Sequence, residues 1–289
     1  MQNSSFNIYN KSQISIVIPT LGGKSLRETI EQINRGSLIP DEILICIPEE
    51  HVSKVNLFSY PNVKIVRTSG KGQVRQRSEG FKNALGEFVM QLDDDIVLST
   101  ESLRNLHSCL IKLGRGNVIG PIYYEKNTKQ PIHKIENGIN GFIRNLYFSI
   151  IYGARWGAKR MGTLPPLGHG FGVDPNYCRS DLFDTEFLPG GCVLSYKEDL
   201  VTENFYPFEG KAYCEDSIHS YLRNCNGIKH WVSPLASCQI DICIAEASLT
   251  PKERKLSFQA RELFTQLNGH SIIRQRIYQA LICLRHFFH

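Results

Sequence analysis

Apolar and polar positions along the first 120 residues alternate between a strand pattern and a helix pattern. Residues 14–18 are a mostly β-branched run that ends at Pro19, which predicts a buried strand running into a loop. Similar runs predict strands over 42–47, 63–66 and 87–92 and from 118 onward. Apolar positions at helical spacing predict helices over 26–36, 78–85 and 100–113, the first capped by Ser25. This alternation indicates βαβ units, and therefore an α/β fold with a mainly parallel central sheet flanked by helices.

The rest of the chain is less regular, but no change in composition marks a second domain. Glycine and proline are concentrated between residues 153 and 191, and the chain from residue 251 onward is predicted to be helical and is basic. We therefore expect an N-terminal extension over residues 1–13, one domain over 14–245 and a C-terminal helical tail over 246–289. Ligands of parallel sheets bind at the carboxyl ends of the strands, which directs attention to the segments that follow them.

The composition is that of an ordinary globular protein. Of the 289 residues, 42% are hydrophobic and 21% are charged, which excludes a disordered or fibrous chain. The 33 Lys and Arg residues outnumber the 28 Asp and Glu residues only slightly, so no nucleic-acid partner is indicated. The nine cysteines form no C-x-x-C pair, which favours buried thiols in a reducing compartment over a zinc site. A polar N-terminus and the lack of a long apolar run predict a cytoplasmic protein.

Three adjacent acids, Asp93, Asp94 and Asp95, follow an apolar run that is predicted to be a strand. Because like charges at this spacing repel one another, a cation is expected beside them. A hard divalent ion such as Mg²⁺ or Mn²⁺ binds carboxylate oxygens and phosphate together. The alternative is an acidic turn before the next helix, and the triplet by itself leaves both interpretations open.

A basic segment over residues 70–80 precedes the triplet by one helix and one strand. The backbone N–H groups where its helix begins, together with Lys71, Arg75 and Arg77, would suit a diphosphate. The alternative is a solvated basic loop. The acidic triplet downstream favours the diphosphate.

Four segments in this order resemble the family 2 glycosyltransferases. They are Ile-Val-Ile-Pro-Thr at 16–20, Gln-Arg-Ser-Glu-Gly at 76–80, Ala-Leu-Gly-Glu at 84–87 and Leu-Asp-Asp-Asp at 92–95. The resemblance extends over roughly residues 14–240. It implies the GT-A fold, a nucleotide-diphosphate sugar as donor, a divalent metal (Mg²⁺ or Mn²⁺) and inversion at the anomeric carbon.

On the donor side, the resemblance assigns Arg77 to the diphosphate and Asp95 to direct ligation of the metal. Asp93 is assigned to the metal and to the nucleotide sugar, and Asp94 belongs to the same donor-binding motif.

The nucleotide base is expected near Pro19 and Thr20. Family members usually carry an acid for the base or ribose after the second strand, and this chain has Ile-Pro-Glu-Glu at 47–50 instead. Glu49 or Glu50 is the expected substitute for that acid.

Two later segments fit the acceptor side of the same pattern. Gly190 and Gly191 resemble the glycine pair that lines the sugar and acceptor site, because adjacent glycines allow a close approach of backbone to ligand. Glu215 and Asp216 resemble the family's Glu-Asp motif. This implies that Asp216 takes the proton from the acceptor hydroxyl and that Glu215 orients the acceptor or the neighbouring loop. A β-turn and an acidic first turn of a helix are the respective alternatives.

Residues 141–161 and 271–289 each mix apolar and basic side chains. Each stretch is either a basic amphipathic helix on an anionic membrane, where lipid-linked acceptors are found, or a helix packed on the domain. For the C-terminal stretch both interpretations stay open. The first places the protein at the inner face of the cytoplasmic membrane.

These features together favour a hexosyltransferase-like enzyme of cell-surface polysaccharide synthesis. It would move a sugar from a nucleotide-diphosphate donor to a hydroxyl of a glycan or lipid-linked acceptor. One alternative is a sugar nucleotidyltransferase, which needs a glycine-rich basic loop such as residues 21–24 offer in a reduced form. The other is a non-catalytic carbohydrate-binding protein of the same fold, and the altered segment 47–50 is its best support.

Overall fold

The computed structural model describes residues 13–55, 60–241 and 249–287. The extension expected over 1–13, apart from its last residue, and the domain boundary expected at 245 lie outside these ranges. The strands are β1 (Ile14–Pro19), β2 (Glu42–Pro48), β3 (Val63–Thr68), β4 (Phe88–Leu92), β5 (Val97–Leu98), β6 (Asn117–Glu125), β7 (Phe183–Thr185), β8 (Cys192–Tyr196) and β9 (Lys229–Ile240). The helices are α1 (Leu26–Asn34), α2 (Gln73–Asn83), α3 (Ser102–Leu113), α4 (Gly138–Tyr147), α5 (Glu215–Cys225), α6 (Pro251–Leu267) and α7 (Ile272–Phe287). A π-helical turn, Phe148–Tyr152, continues α4.

The described strands form one sheet in the order β3-β2-β1-β4-β8-β6-β9-β5, and β7 also pairs with β9. The first four strands of the chain are parallel, as the alternating pattern predicts. The complete sheet is mixed rather than mainly parallel, because β8 lies antiparallel between β4 and β6. β5 and β7 are also antiparallel to β9, whereas β6 and β9 are parallel. The difference arises because the chain leaves the sheet after β6 and returns to it in the opposite direction at β7 and then at β8.

Helices cover both faces of the parallel half of the sheet. On β1, the side chains of Ile14, Ile16 and Ile18 belong to the cluster that includes α1 and α3, whereas Val17 belongs to the cluster under α2. All four are fully buried, as expected for a parallel strand covered on both sides. Each such side chain contributes roughly 1.5–3 kcal/mol when buried. The strands are therefore firm supports for the loops at their carboxyl ends.

α2 lies closer to the sheet than any side chain at Gly80 would allow. A Cβ at this position would fall 2.4 Å from Cγ1 of Val17 and 2.5 Å from Sγ of Cys46. Helix α2 begins at Gln73, earlier than the predicted start at 78, directly after Gly72, whose φ is +133°. The basic segment is therefore largely helix rather than loop.

The predicted cap of α1 does not form. Ser25 has φ −72° and ψ −23°, which is already helical backbone, and its side chain makes no capping hydrogen bond. By contrast, α6 begins with a complete capping box between Thr250 and Glu253.

The cysteines that the structure describes are free thiols. Cys46, Cys109, Cys192 and Cys238 are buried, as the sequence predicts, whereas Cys225 and Cys283 are exposed.

α6 and α7 pack against each other and against the segment that follows α4. Tyr278 of α7 is fully buried, with its ring centroid 5.4 Å from that of Tyr152 and 6.4 Å from that of Phe258. Of the helices that the structure describes, none combines the length and the apolar character needed to cross a bilayer.

Candidate functional site

A cleft of about 920 Å³ opens at the carboxyl ends of β1 and β4. Because these two strands are parallel neighbours, the segments that follow them meet at one edge of the sheet. The segment where α2 begins and the loop before α5 form the other walls. The lining residues are Pro19, Thr20, Leu21, Gly23, Glu50, Arg75, Gln76 and the ranges 71–73, 93–95 and 209–212.

Asp93 links the floor of the cleft to α2. Its Oδ1 accepts hydrogen bonds from Nε2 of Gln73 at 2.8 Å and from Nη2 of Arg77 at 3.1 Å. Burial raises the pKa of Asp93 to about 6, although the Arg77 charge acts in the opposite direction. Its Oδ2 faces Gly191, where an added Cβ would lie 3.2 Å away.

The other two acids of the triplet have different surroundings. Asp94 accepts a hydrogen bond from Oγ1 of Thr20, which joins the ends of β4 and β1, and burial raises its pKa. Asp95 is exposed, and no described residue forms a hydrogen bond or ion pair with it. Within the described part of the chain, Asp95 is therefore the acid of the triplet that is free to bind a ligand.

Arg77 lies behind the cleft wall rather than in the cleft. Its side chain is 2% exposed and pairs with Asp93 at 3.1 Å and with Oε1 of Glu215 at 2.9 Å. With Nη1 and Nη2 each bonded to a carboxylate, it is not placed to reach a diphosphate, which differs from the sequence-based expectation. Lys71 and Arg75 line the cleft instead.

Glu50, and not Glu49, lines the cleft. Glu49 is 66% exposed and faces Arg67 at 3.4 Å, on the outer surface. Glu50 contacts Lys71 at 3.5 Å within the cleft wall. The proline at position 48 ends β2 and is followed by a 3-10 helix, Glu49–Lys54, which turns the two glutamates in different directions.

Asp216 lies in the first turn of α5 against the glycine pair. The backbone N–H of Gly190 hydrogen-bonds its carboxylate, and an added Cβ at Gly190 would fall 2.2 Å from Oδ1 of Asp216. An added Cβ at Gly191 would fall 2.6 Å from Ile96. Burial, together with the charge of the adjacent Glu215, raises the pKa of Asp216 well above its ordinary value. The glycines thus leave room for a carboxylate that binds protons more strongly than usual.

The acidic triplet and the Glu-Asp pair are brought together by Arg77. The two ion pairs of this residue join Asp93, at the end of β4, to Glu215, at the start of α5, across 122 positions of the chain. Both ion-pair partners of Arg77 lie close to Asp216, because the charges of Glu215 and Asp93 each raise the pKa of Asp216. The residues predicted for the donor and for the acceptor therefore adjoin one another.

Several residues that build this site are absent from the sequence-based predictions. Nε2 of Gln76 donates to the carbonyl oxygens of Thr20 and Cys46, both at 2.7 Å, and so fixes the ends of β1 and β2. Gln73 holds Asp93 as described above.

Arg223 is a second buried cation near the site. It is 1% exposed, and its Nη2 donates to Oε1 of Gln91 at 2.9 Å, while the amide of Gln91 donates to the carbonyl of Gly190. Burial, followed by the charge of Arg77, lowers the pKa of Arg223 to about 9. Arg223 follows Asp216 by two helical turns, so the two residues lie on the same face of α5. This spacing can be recognised in the sequence alone.

A metal would have to be held by few protein ligands. No three His, Cys, Asp or Glu side chains among the described residues converge as a metal site. Asp95 and Oδ2 of Asp93 offer hard oxygen donors, which suit Mg²⁺ or Mn²⁺ when phosphate oxygens complete the coordination. The donor set therefore fits a metal that binds together with a phosphorylated ligand.

Comparison with known proteins identifies the family. The model described as "Glycosyl transferase family 2" matches residues 15–167, more than half of the chain. The chain belongs to glycosyl transferase family 2. The family description names glycosyl transfer, so the match lends no support to the nucleotidyltransferase or to the non-catalytic alternative. A search of curated protein sequences finds no match.

Solved structures show the same fold. A crystal structure of GalNAc-T7 with UDP, GalNAc and Mn²⁺ matches with a TM-score of 0.54 at 15% identity, covering 80% of this chain and 43% of that one. A crystal structure of TarS from S. aureus matches with a TM-score of 0.50 at 14% identity, covering 86% and 39%. This chain thus spans less than half the length of either. The shared fold is the GT-A fold of glycosyltransferases.

Proposed function

We propose that the protein is an inverting glycosyltransferase that uses a nucleotide-diphosphate sugar. Its acceptor is a hydroxyl of a glycan or lipid-linked molecule of cell-surface polysaccharide synthesis. The main observation behind the proposal is that Arg77 forms ion pairs with both Asp93 and Glu215, next to Asp216. This arrangement supports a site at which a donor-binding carboxylate and a proton acceptor act together.

The nucleotide end of the donor lies along Pro19, Thr20 and Asp94, with Glu50 at the edge of the cleft. The position of Pro19 at the carboxyl end of β1 and the hydrogen bond from Thr20 to Asp94 support this assignment, because these residues line the cleft. The diphosphate is neutralised by Lys71 and Arg75, whose exposed cationic groups line the cleft.

Asp95 and Asp93 would hold a divalent metal, Mg²⁺ or Mn²⁺, together with the donor. When bound, such an ion neutralises the charge that develops on the leaving diphosphate. The structure of GalNAc-T7 contains UDP and Mn²⁺, which supports the same pairing here.

Asp216 is the proposed general base. Its carboxylate accepts the proton of the acceptor hydroxyl as the oxygen attacks the anomeric carbon from the face opposite the diphosphate, so the configuration is inverted. Glu215 and Arg77 position Asp216, and the glycine pair Gly190 and Gly191 lets the backbone lie close against this carboxylate and Ile96.

Calorimetry with a panel of UDP-, GDP-, TDP- and CMP-sugars, with and without Mn²⁺, tests the donor site. One donor should bind only with metal, and Asp95→Ala should abolish this binding. Asp181→Asn, at an exposed carboxylate outside the cleft, is the matched control and should bind as the unaltered protein does. No binding of any nucleotide sugar would contradict the donor assignment.

Asp216→Asn tests the base. It should retain donor binding and lose transfer by roughly 10²–10⁴-fold, the usual contribution of a general base. An unchanged rate of transfer would show that another group accepts the proton.

We also propose that the C-terminal stretch 271–289 and the segment around α4 contact an anionic membrane. Ile143 and Ile150 are 58% and 61% exposed, and Ile273 and Ile277 of α7 are 67% and 51% exposed. Nη1 of Arg274 donates to the carbonyl of Ile150 at 2.6 Å, so the two exposed apolar surfaces adjoin. Such a surface with arginines at its edge suits anionic lipid and an acceptor carried in the lipid.

A further inference from the structure

A second, smaller cavity lies apart from the donor cleft. It measures about 100 Å³ and lies between the segment after β6, helix α4 and the loop before β7. We call it the Arg160 pocket; its charged and titratable lining residues are His133, Lys134, Arg144, Arg160, His169 and Asp174. Nothing in the proposed transfer reaction uses these residues.

Arg160 is a buried cation with no carboxylate partner in the described chain. Its residue is 4% exposed, and the ion pairs formed by described residues do not include it. Nη1 donates to the side-chain oxygen of Asn145, and the guanidinium lies over the rings of Phe148 and Phe171, 5.2 and 5.6 Å from their centroids. These contacts hold the guanidinium in place without neutralising it. A buried charge without a counterion is costly, so an anion is expected beside it.

The other side chains of the pocket wall add a further cation and two neutral imidazoles. Burial, followed by the charge of Arg144, lowers the pKa of Arg160, while Glu136, which pairs with Arg144 at the rim, acts in the opposite direction. Burial also lowers the pKa of His133 to about 4 and that of His169 to about 3, so both imidazoles are neutral. The imidazoles of His133 and His169 form no hydrogen bond with a described residue. Each is therefore available as a donor.

Asp174, the acid of the pocket wall, already has hydrogen-bond partners for both of its carboxylate oxygens. The two oxygens of Asp174 accept hydrogen bonds from the backbone of Ile135 at 2.8 Å and from the backbone and side chain of Asn176 at 3.0 and 2.9 Å. Its carboxylate caps a short 3-10 helix, Pro175–Tyr177, rather than neutralising Arg160.

We propose that the Arg160 pocket binds a phosphate group. A water molecule occupies about 30 Å³ in the liquid, so a cavity of about 100 Å³ holds a group of a few heavy atoms, such as a phosphoryl group. A planar guanidinium matches the oxygens of phosphate and binds them by two parallel hydrogen bonds. The two imidazoles complete a set of donors around a tetrahedral anion.

The position of the pocket indicates which phosphate it would take. The carbonyl of Gly168, next to His169, accepts hydrogen bonds from Ser217 Oγ at 2.8 Å and from Cys214 Sγ at 3.4 Å, around the first turn of α5. On the other side are the exposed apolar residues of α4 and the π-helical turn. A phosphate held here lies between the turn that carries Asp216 and that apolar surface. We therefore assign it to the acceptor, an assignment that rests on the proposed function.

Histidine NMR of the full chain, labelled at histidine, tests the pocket itself. The ring signals of His133 and His169, assigned with His133→Gln and His169→Gln, are followed during titration with inorganic phosphate, hexyl phosphate and hexanol. Both phosphates should shift these two signals and hexanol should not. If neither phosphate shifts them, the proposal is wrong.

Substitutions in the pocket identify the anion-binding group. Arg160→Gln should weaken phosphate binding by about tenfold or more, and Lys159→Gln, an exposed neighbour outside the pocket, should leave it unchanged. Arg144→Gln, at a side chain that is 55% exposed, gives a second test if Arg160→Gln fails to fold, and should weaken binding by a few-fold. Equal affinity in all these variants would overturn the assignment.

The titrations also separate the two sources of phosphate and the two proposals. Tighter binding of hexyl phosphate than of inorganic phosphate supports a lipid phosphate, and equal binding supports a soluble phosphorylated acceptor. Asp95→Ala should leave the histidine shifts intact. Histidine shifts without donor binding in the unaltered protein would contradict the proposed function alone, and donor binding without histidine shifts would contradict only the pocket.

Discussion

Arg77 and the carboxylates around it set the chemistry of the site at the level of single residues. One guanidinium is shared by Asp93 and Glu215, and Asp216 lies beside them, where the backbone N–H of Gly190 favours its ionised form. Burial, followed by the charges of Glu215 and Asp93, outweighs this hydrogen bond, so the ionised form of Asp216 is disfavoured. A base with a raised pKa takes a proton from a hydroxyl more readily, provided that the pH keeps it ionised.

Glu215→Gln should move the acid side of the pH–activity profile to lower pH. The charge of Glu215 raises the pKa of Asp216, so its removal lowers that pKa. The general base must be ionised, and activity is lost as the pH falls through its pKa; a lower pKa therefore extends activity to more acidic solutions. The measurement is kcat/KM against pH, with Glu209→Gln, an exposed residue of the cleft wall, as control. An acid side that does not move would show that Asp216 is not the group titrating.

Arg77→Gln should lower the free energy of unfolding by about 3–5 kcal/mol, because two buried carboxylates lose their counterion. Urea denaturation measures this change. Arg75→Gln is the matched control, since Arg75 is exposed and belongs to the same helix. It should change stability by no more than about 0.5 kcal/mol but should weaken donor binding. If the two variants were equally stable, the buried ion pairs would not be structural.

At the level of elements, α2 carries most of the contacts that connect the two halves of the site. Gln73, Gln76 and Arg77 reach Asp93, the ends of β1 and β2, and Glu215, and Gly80 lets the helix approach the sheet closely enough for them to do so. Helix α2 therefore holds the residues of the cleft in fixed positions relative to the sheet.

Gly80→Ala should destabilise the protein by about 1–3 kcal/mol, because the new methyl group overlaps Val17 and Cys46 in a packed layer. Thermal or urea unfolding measures the loss. Lys82→Ala, at an exposed position of the same helix, should change stability by less than about 0.5 kcal/mol. If Gly80→Ala left the free energy of unfolding unchanged, α2 would be able to move away from the sheet without destabilising the protein.

The sequence predicts this element only in part. The motif at 76–80 locates α2, but the first turn from Gln73 is stabilised by a tertiary hydrogen bond to Asp93 that a local pattern does not contain. The same limit explains Arg77: its residue type suits a diphosphate, yet burial between two acids distant in sequence gives it another role. The four parallel strands, by contrast, follow from their own apolar runs.

At the level of the whole molecule, one half of the sheet can be predicted from local sequence patterns. The other half depends on contacts between residues that are distant in the sequence. β1 to β4 are predicted by position and type, whereas β8 is inserted between β4 and β6 after residues 126–191, which add only the short strand β7 to the sheet. No periodicity in residues 126–182 indicates where this excursion packs, and the Arg160 pocket within it has no sequence signature for the same reason.

The adjoining apolar surfaces of α4 and α7 give a prediction for the molecule as a whole. Ile273→Ser combined with Ile277→Ser should reduce co-sedimentation with anionic vesicles by about tenfold or more, since each buried isoleucine contributes roughly 1.5–3 kcal/mol. Leu85→Ser with Ile111→Ser, which are also exposed but lie outside this surface, is the control. Vesicle binding that is unchanged in the first variant would refute membrane contact through α7.

The excursion between β6 and β8 leaves and re-enters the sheet at strands that are direct neighbours. Its two ends are thereby anchored side by side, and between them only the short strand β7 pairs with the sheet. Insertions, deletions or an outright exchange of this stretch leave the strands beneath Asp93 and Asp95 where they are. The Arg160 pocket, which we assign to the acceptor, lies within this stretch, so relatives can change what they glycosylate by exchanging it while the donor cleft and Asp216 remain outside the exchanged segment.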